Sequence, residues 1–180
     1  MNDTAAASGA FALSAASRAR LDAVVARYPT RESALMPALW IVQDELGHIP
    51  PAGAVWLAER LQVPEARVWE VITFYTMYRS EPQAQHVLQV CHNISCHIMG
   101  ARGIIGHLEE RLGIRLGQAT ADGLFQLEGA ECLGSCGSGP CLQLGRHLYE
   151  NLTPAKVDAL LDSLRRGAPL RPDTDRSLEG

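Results

Sequence analysis

Two knots of cysteine set the terms for this chain. Residues 91–96 read CHNISC and residues 132–141 read CLGSCGSGPC, and between them they hold all five cysteines of the 180-residue sequence. A fold that unites the two runs must close the 35 residues between Cys96 and Cys132. It must also accept a loop in which glycine and cysteine are interleaved. The N-terminal stretch MNDTAAASGAFALSAASR is rich in Ala and Ser but has no basic leading region and no sustained apolar block. It reads as a flexible tail, residues 1–16, and not as a secretory signal. The reducing compartment that follows disfavours disulfides, and an odd count would leave one thiol over.

Composition bounds the rest. At 47% hydrophobic and 20% charged the chain can build a core. A net charge of −4 argues against nucleic acid as a partner. No stretch approaches the roughly 20 apolar residues of a membrane span, so direct membrane insertion is not expected. Neither a G-x-G-x-x-G fingerprint nor a P-loop occurs, so no catalytic residue is expected.

Apolar spacing divides the chain in two. From Ser17, Leu21, Val24, Val25 and Tyr28 recur at helical intervals before Pro29. A second helix is expected from near Ser33 to Gly47, with Leu35, Met36, Leu39, Trp40 and Val42 inward. Pro50 and Pro51 precede a third, with Val55, Trp56, Leu57 and Leu61, and Pro64 opens a fourth that runs through Val68, Val71 and Ile72 into TFYTMY. Residues 17–80 therefore read as a small helical bundle. Phe74, Tyr75 and Tyr78 fit helix-end packing against the next domain better than a cofactor box.

Residues 84–167 alternate strand and helix. HVLQVC (86–91) is a strand ending in Cys91, and IMGARGIIGHLEERLGI a helix with Ile98, Ile105, Leu108 and Leu112 inward and Gly113 as its stop. A turn at Asp122–Gly123 and a strand over Leu124–Leu127 lead to Cys132, and CLQL with RHLYE makes a hairpin around Gly145. TPAKVDALLDSLRRG is a helix with Thr153 as N-cap and Gly167 as stop; Arg165 and Arg166 at its end complement the helix dipole. The order β-α-β-β-α suits an α/β layer fold of the thioredoxin type, and residues 168–180 read as a polar tail. Both thiol loops then leave one end of the sheet.

The spacing is C-x4-C, then C-x3-C, with Cys141 five positions further on. A redox dithiol more often uses C-x-x-C, which is absent. Zinc accepts four thiolates, but its structural sites usually staple small, metal-dependent folds, and this segment has an apolar core of its own. An iron–sulfur cluster takes four thiolates and N–H donors to its sulfurs, and GSCGSG lets amides approach sulfur unobstructed, through Gly134 and Gly137. These residues favour a cluster and leave zinc open. His92 and His97 lack the C-x-H and C-x-x-H spacing of a Rieske site and read as solvent-facing loop residues. Arg102 reads as an exposed helix charge.

The combination of FYTMY, VCHNISC, DGLFQLEGAECLGSCGSGP and YENLTPAK resembles the small [2Fe–2S] subunits of bacterial NADH:quinone oxidoreductase, respiratory complex I, over roughly residues 18–166. That wider family includes electron-transfer subunits of NAD-dependent formate dehydrogenases and NAD-linked hydrogenases. The resemblance implies a helical bundle followed by a thioredoxin-like ferredoxin domain, with one [2Fe–2S] cluster on Cys91, Cys96, Cys132 and Cys136. It implies docking onto a subunit that holds FMN, NADH and a [4Fe–4S] cluster, contact with a larger iron–sulfur subunit, and a peripheral place on the cytoplasmic side of the inner membrane. The isolated chain would be an electron carrier within an oxidoreductase, at a potential of about −400 mV if it follows plant-type ferredoxins. One departure stands out: after the proline the family usually has an aliphatic residue, and here it is Cys141, which reads as a small buried hydrophobe rather than a substitute ligand.

Overall fold

The computed structural model describes residues 11–167 and 174–175, and its elements fall into two units, Met1–Pro82 and Gln83–Gly180. In the first unit Ser14 opens α1 (Ala15–Val25), its hydroxyl accepting the Ser17 N–H at 3.2 Å. Packing begins before the helix, because Leu13 is buried and the Phe11 ring lies 5.8 Å from that of Trp56. This corrects the tail expected through residue 16, of which residues 1–10 lie outside the described residues. Two apolar side chains in an Ala/Ser run carry too little periodicity to announce a packed segment.

A 3₁₀ turn (Glu32–Ala34) leads into α2 (Leu35–Leu46), whose first turn tolerates Pro37 because no backbone donor is needed there. Gly47, at φ 77°, ends it. The third and fourth helices are α3 (Pro51–Leu61) and α4 (Glu65–Phe74). Leu21, Leu39, Val42, Leu57, Leu61, Val68 and Ile72 share one core. The three aromatics at the end of α4 divide. Tyr78 packs inside this unit, its ring 5.6 Å from Trp40 and its hydroxyl donating to the Met36 carbonyl at 3.0 Å; burial, with Tyr75 adding to it, pushes the phenol up to about 12. Phe74 is 77% exposed and Tyr75 37%. Gln43 fixes the segment on either side of Tyr78, its amide donating to the Met77 carbonyl at 2.9 Å and accepting the Arg79 N–H at 2.7 Å.

The second unit comprises β1 (His86–Cys91), α5 (Ile94–Ile98), α6 (Ala101–Leu112), β2 (Phe125–Ala130), β3 (Leu142–Leu144), β4 (His147–Tyr149), α7 (Pro154–Arg165) and β5 (Thr174–Asp175). The sheet order is β2-β1-β3-β4-β5, with β1 and β2 parallel and the other pairs antiparallel. Leu88, Val90, Phe125, Leu127, Leu142 and Leu144 from the strands pack with Ile104 and Leu108 of α6 and Val157, Leu160, Leu161 and Leu164 of α7.

Two expectations need correction here. The single helix expected after Cys96 is two helices, because Gly100 sits at φ 99° between them. The break resets the helical phase, so Ile104 is buried, Ile105 and Leu112 pack partly buried against the same core as expected, and Ile98 is 79% exposed. The C-terminal tail contributes an edge strand, with Leu148 opposite Thr174 and His147 opposite Asp175. Two-residue edge pairing uses backbone groups and leaves no side-chain pattern to read. Residues 168–173 and 176–180 lie outside the described residues.

Candidate metal centre

Strand β1 ends at Cys91, and the parallel register sets Cys91 opposite Ala130 at the end of β2. The loops that follow both strands therefore emerge side by side, since paired strands lie only about 4.8 Å apart. The antiparallel β3 starts at the same end, and the Cys91 N–H donates to the Cys141 carbonyl at 3.0 Å. Topology, more than local sequence, gathers the cysteines.

In the first loop Asn93 caps α5, its side chain accepting the Ile94 N–H at 2.7 Å. The turn faces Cys96 inward, 2% exposed, and leaves Ile94 and Ile98 outward. His92 is half-buried, not solvent-facing as expected. A Cβ on Gly129 would meet its ring at 2.8 Å, so the absence of a side chain on β2 makes room for the imidazole. His97 and Arg102 are exposed as expected.

In the second loop Cys132 and Cys136 are exposed. Gly134, at φ 72°, directs its N–H to Cys132 Sγ at 3.4 Å, the close approach anticipated for it. Gly137 has open space around it. Gly139 is the glycine that spacing did not single out: a Cβ there would lie 3.1 Å from both Cys96 Sγ and Met99 Sδ. The loop is fastened from outside by Glu150, whose carboxylate accepts from the hydroxyls of Ser135 and Ser138. The Asn151 N–H donates to the Ser138 carbonyl at 2.7 Å and the Leu152 N–H to the Pro140 carbonyl at 2.9 Å. No signal in the sequence links Glu150 to a loop twelve to fifteen positions earlier.

Among the described residues, one group of thiols lies close together: the Sγ atoms of Cys91, Cys96 and Cys141 are all within 4.8 Å of one another. Of the four cysteines that the motif points to, the structure brings Cys91 and Cys96 into this group and leaves Cys132 and Cys136 exposed beside it. Cys141 is fully buried, as an apolar strand residue would be, and also turns its thiol to Cys96 at 3.8 Å. Burial raises the Cys91 pKa, but the N–H groups of Asn93 and Leu133 and the neighbouring thiols outweigh it, and the net direction is down. Burial, then the proximity of Cys91, pushes Cys96 up; burial and then Cys96 push Cys141 up further. Of the three thiols, Cys91 is therefore the one whose ionised form its surroundings favour.

The donor set fits an iron–sulfur cluster. It offers sulfur from two adjacent loops, with amide donors on Cys91 and Cys132, the pattern that tunes such a group. The model of the thioredoxin-like [2Fe–2S] ferredoxin family matches residues 21–165. The chain belongs to this family. Its cofactor is accordingly one [2Fe–2S] cluster.

Sequence relatives of this ferredoxin-family chain include NADH-quinone oxidoreductase subunits from several bacteria. An NADH-quinone oxidoreductase subunit of Rhizobium meliloti is 45% identical over 148 residues, covering 82% of this chain and 88% of that protein. The NADH-quinone oxidoreductase relative from Escherichia coli is 37% identical over 153 residues, covering 85% and 92%. The one from Mycobacterium tuberculosis is 37% identical over 157 residues, and the chain spans 62% of its length. Among solved structures, the NAD+-reducing [NiFe]-hydrogenase in its H2-reduced state shares the fold at TM-score 0.66 and 21% identity, over 75% of this chain and 22% of that one.

Proposed function

We propose that this chain is the small electron-transfer subunit of an NADH:quinone oxidoreductase, with its [2Fe–2S] cluster on Cys91, Cys96, Cys132 and Cys136. Beside it would sit a subunit that binds FMN and NADH and carries a [4Fe–4S] cluster. The observation that carries the reading is the 45% identity to the Rhizobium meliloti protein across nearly the whole of both chains. The hydrogenase likeness concerns the fold alone and lends no weight to a hydrogen- or formate-oxidising complex.

When bound, the cluster takes up and releases one electron at a time. The chain's own residues do the rest. Amides of Asn93, Leu133 and Gly134 aim at the sulfurs of Cys91 and Cys132 and stabilise negative charge there. Burial of Cys91 and Cys96 keeps water from the inner side, while Cys132 and Cys136 leave the outer side within reach of a partner. Apolar side chains around that approach support docking. Ile94 and Ile98 of α5 are 72% and 79% exposed, directly outside Cys96. In the helical unit, Phe74 and Tyr75 border an open groove of about 720 Å³ that Leu35, Met36 and Val71 also line. Among the described residues no helix is long and apolar enough to cross a membrane; contact with a larger iron–sulfur subunit and a place on the cytoplasmic side of the inner membrane belong to the same proposal.

Anaerobically purified protein is expected to be reddish-brown, with about two irons and two sulfides per chain and a rhombic EPR signal only after reduction. Serine at position 91, 96, 132 or 136 in place of cysteine should lose or strongly perturb that signal, and Cys141→Val should keep it. Stoichiometric zinc without acid-labile sulfide would overturn the cluster reading in favour of a structural zinc site. Co-purification from the native host, with the subunits identified, tests the assignment to the complex.

A further inference from the structure

The cysteines that the fold brings nearest one another are not the four of the family motif. Cys96 Sγ and Cys141 Sγ are 3.8 Å apart, and Cys91 Sγ lies within 4.8 Å of both. A tetrahedral ion with thiolates at about 2.3 Å holds neighbouring sulfurs about 3.8 Å apart. Cys96 and Cys141 already have that spacing, and Cys91 completes a triangular face after a contraction of at most about 1 Å.

The triangle is also built to stay in place. Its corners come from β1, α5 and the residue before β3, and the Cys91 N–H to Cys141 carbonyl bond ties two of them together. The three residues are 3%, 2% and 0% exposed. Gly139 makes room on one side, and Met99 Sδ, a further soft donor, flanks the same glycine. No carboxylate or imidazole belongs to the group, and an all-sulfur set selects a thiophilic ion such as zinc over magnesium or calcium.

We propose that Cys91, Cys96 and Cys141 bind a single thiophilic ion of the zinc class whenever the chain lacks its cluster. Binding releases the thiol protons to solvent and changes no oxidation state. Two of the ligands are shared with the cluster, so the two occupants exclude one another. Cys141 serves only the single ion; Cys132 and Cys136 serve only the cluster. The contrast rests on the ligand assignment proposed above, but the single-ion site stands on the thiol geometry.

The test is a titration of cluster-free, full-length, reduced protein with Co²⁺, followed by displacement with Zn²⁺. Wild-type protein should take up one Co²⁺ with intense thiolate-to-metal absorption and the visible bands of a tetrahedral ion. Cys141→Val and Cys141→Ala should weaken Co²⁺ binding by more than the roughly 10–100-fold that losing an outer-shell partner costs, yet keep the reconstituted cluster's spectrum. Cys132→Ser and Cys136→Ser should bind Co²⁺ as the wild type does and fail to hold the cluster normally. Wild-type affinity in both Cys141 variants, or loss of Co²⁺ binding in Cys132→Ser, would overturn the proposal. So would a wild-type chain that takes no Co²⁺ at all. A chain that binds Co²⁺ as expected but never acquires iron and sulfide would sink the cluster reading and leave this one standing.

Discussion

In the loop 132–141 a single carboxylate holds two hydroxyls. Ser135 is 7% exposed, and both it and Ser138 donate to Glu150. Glu150→Ala leaves those hydroxyls without their charged acceptor, and hydrogen bonds to charged groups are worth about 1.5–3 kcal/mol each. Denaturant unfolding of the variant should show a loss of about 2 kcal/mol, and a chelator should strip its cluster faster. Glu150→Gln keeps an acceptor oxygen and should recover part of both. An unchanged midpoint and cluster lifetime in Glu150→Ala would show that the backbone bonds from Asn151 and Leu152 suffice. The thiols and Gly134 were legible in the sequence because their spacing is local. Glu150, Gly139 and the pairing of His92 with Gly129 were not, because each contact is made across elements that only the folded sheet brings together.

At the scale of elements, strand β1 contains a pH dependence. The His86 ring lies 5.7 Å from that of Phe125, its partner in the register, and Arg165 reaches over the same ring at 5.6 Å. His86 Nε2 is buried and makes no hydrogen bond among the described residues. Burial lowers its pKa from the ordinary 6.5. Above 6.5 the ring is neutral in folded and unfolded chains alike, and its contribution is fully present. As pH falls, the unfolded chain takes the proton first, so stability declines until pH passes the lowered folded value. Unfolding free energies measured from pH 7.5 to 5 should fall, and His86→Leu should make that slope shallower. An identical slope would mean that other groups set it. Most elements follow from sequence pattern: β1 from its β-rich apolar run, α7 from Thr153 and Pro154, the end of α6 from Gly113. The divided helix and β5 do not, because one depends on the left-handed Gly100 and the other on backbone pairing alone.

At the scale of the whole molecule, two apolar surfaces are left in the open, Phe74 with Tyr75 and Met77 in one unit and Ile94 with Ile98 in the other. If these are docking surfaces, Phe74→Asp and Ile98→Asp should each weaken capture of the flavin-bearing subunit by about tenfold or more, the cost of about 1.4 kcal/mol that a useful interface residue exceeds. Both side chains are more than three-quarters exposed, so iron content and thermal midpoint should not move. Undiminished capture by both variants would direct the search for the dock elsewhere on the molecule. The domain type was legible from the alternation of strand and helix, and the family from its motifs. Which apolar residues stay outside was not, since Phe74 and Tyr78 look alike in the sequence and only packing separates them.

The parallel pairing of β1 with β2 also orders events in time. Val90 meets Gly129 across the sheet although 39 positions separate them, and Cys141 follows Cys91 by 50 positions. At a translation rate of about 5–20 residues per second, Cys91 and Cys96 exist for about 3–10 s before the segment that buries them has been made. Through that interval the nascent chain exposes an incomplete thiol pair. Cofactor loading is therefore a late step, one that waits on the emergence of the loop after β2, and chains arrested short of residue 132 should retain no iron.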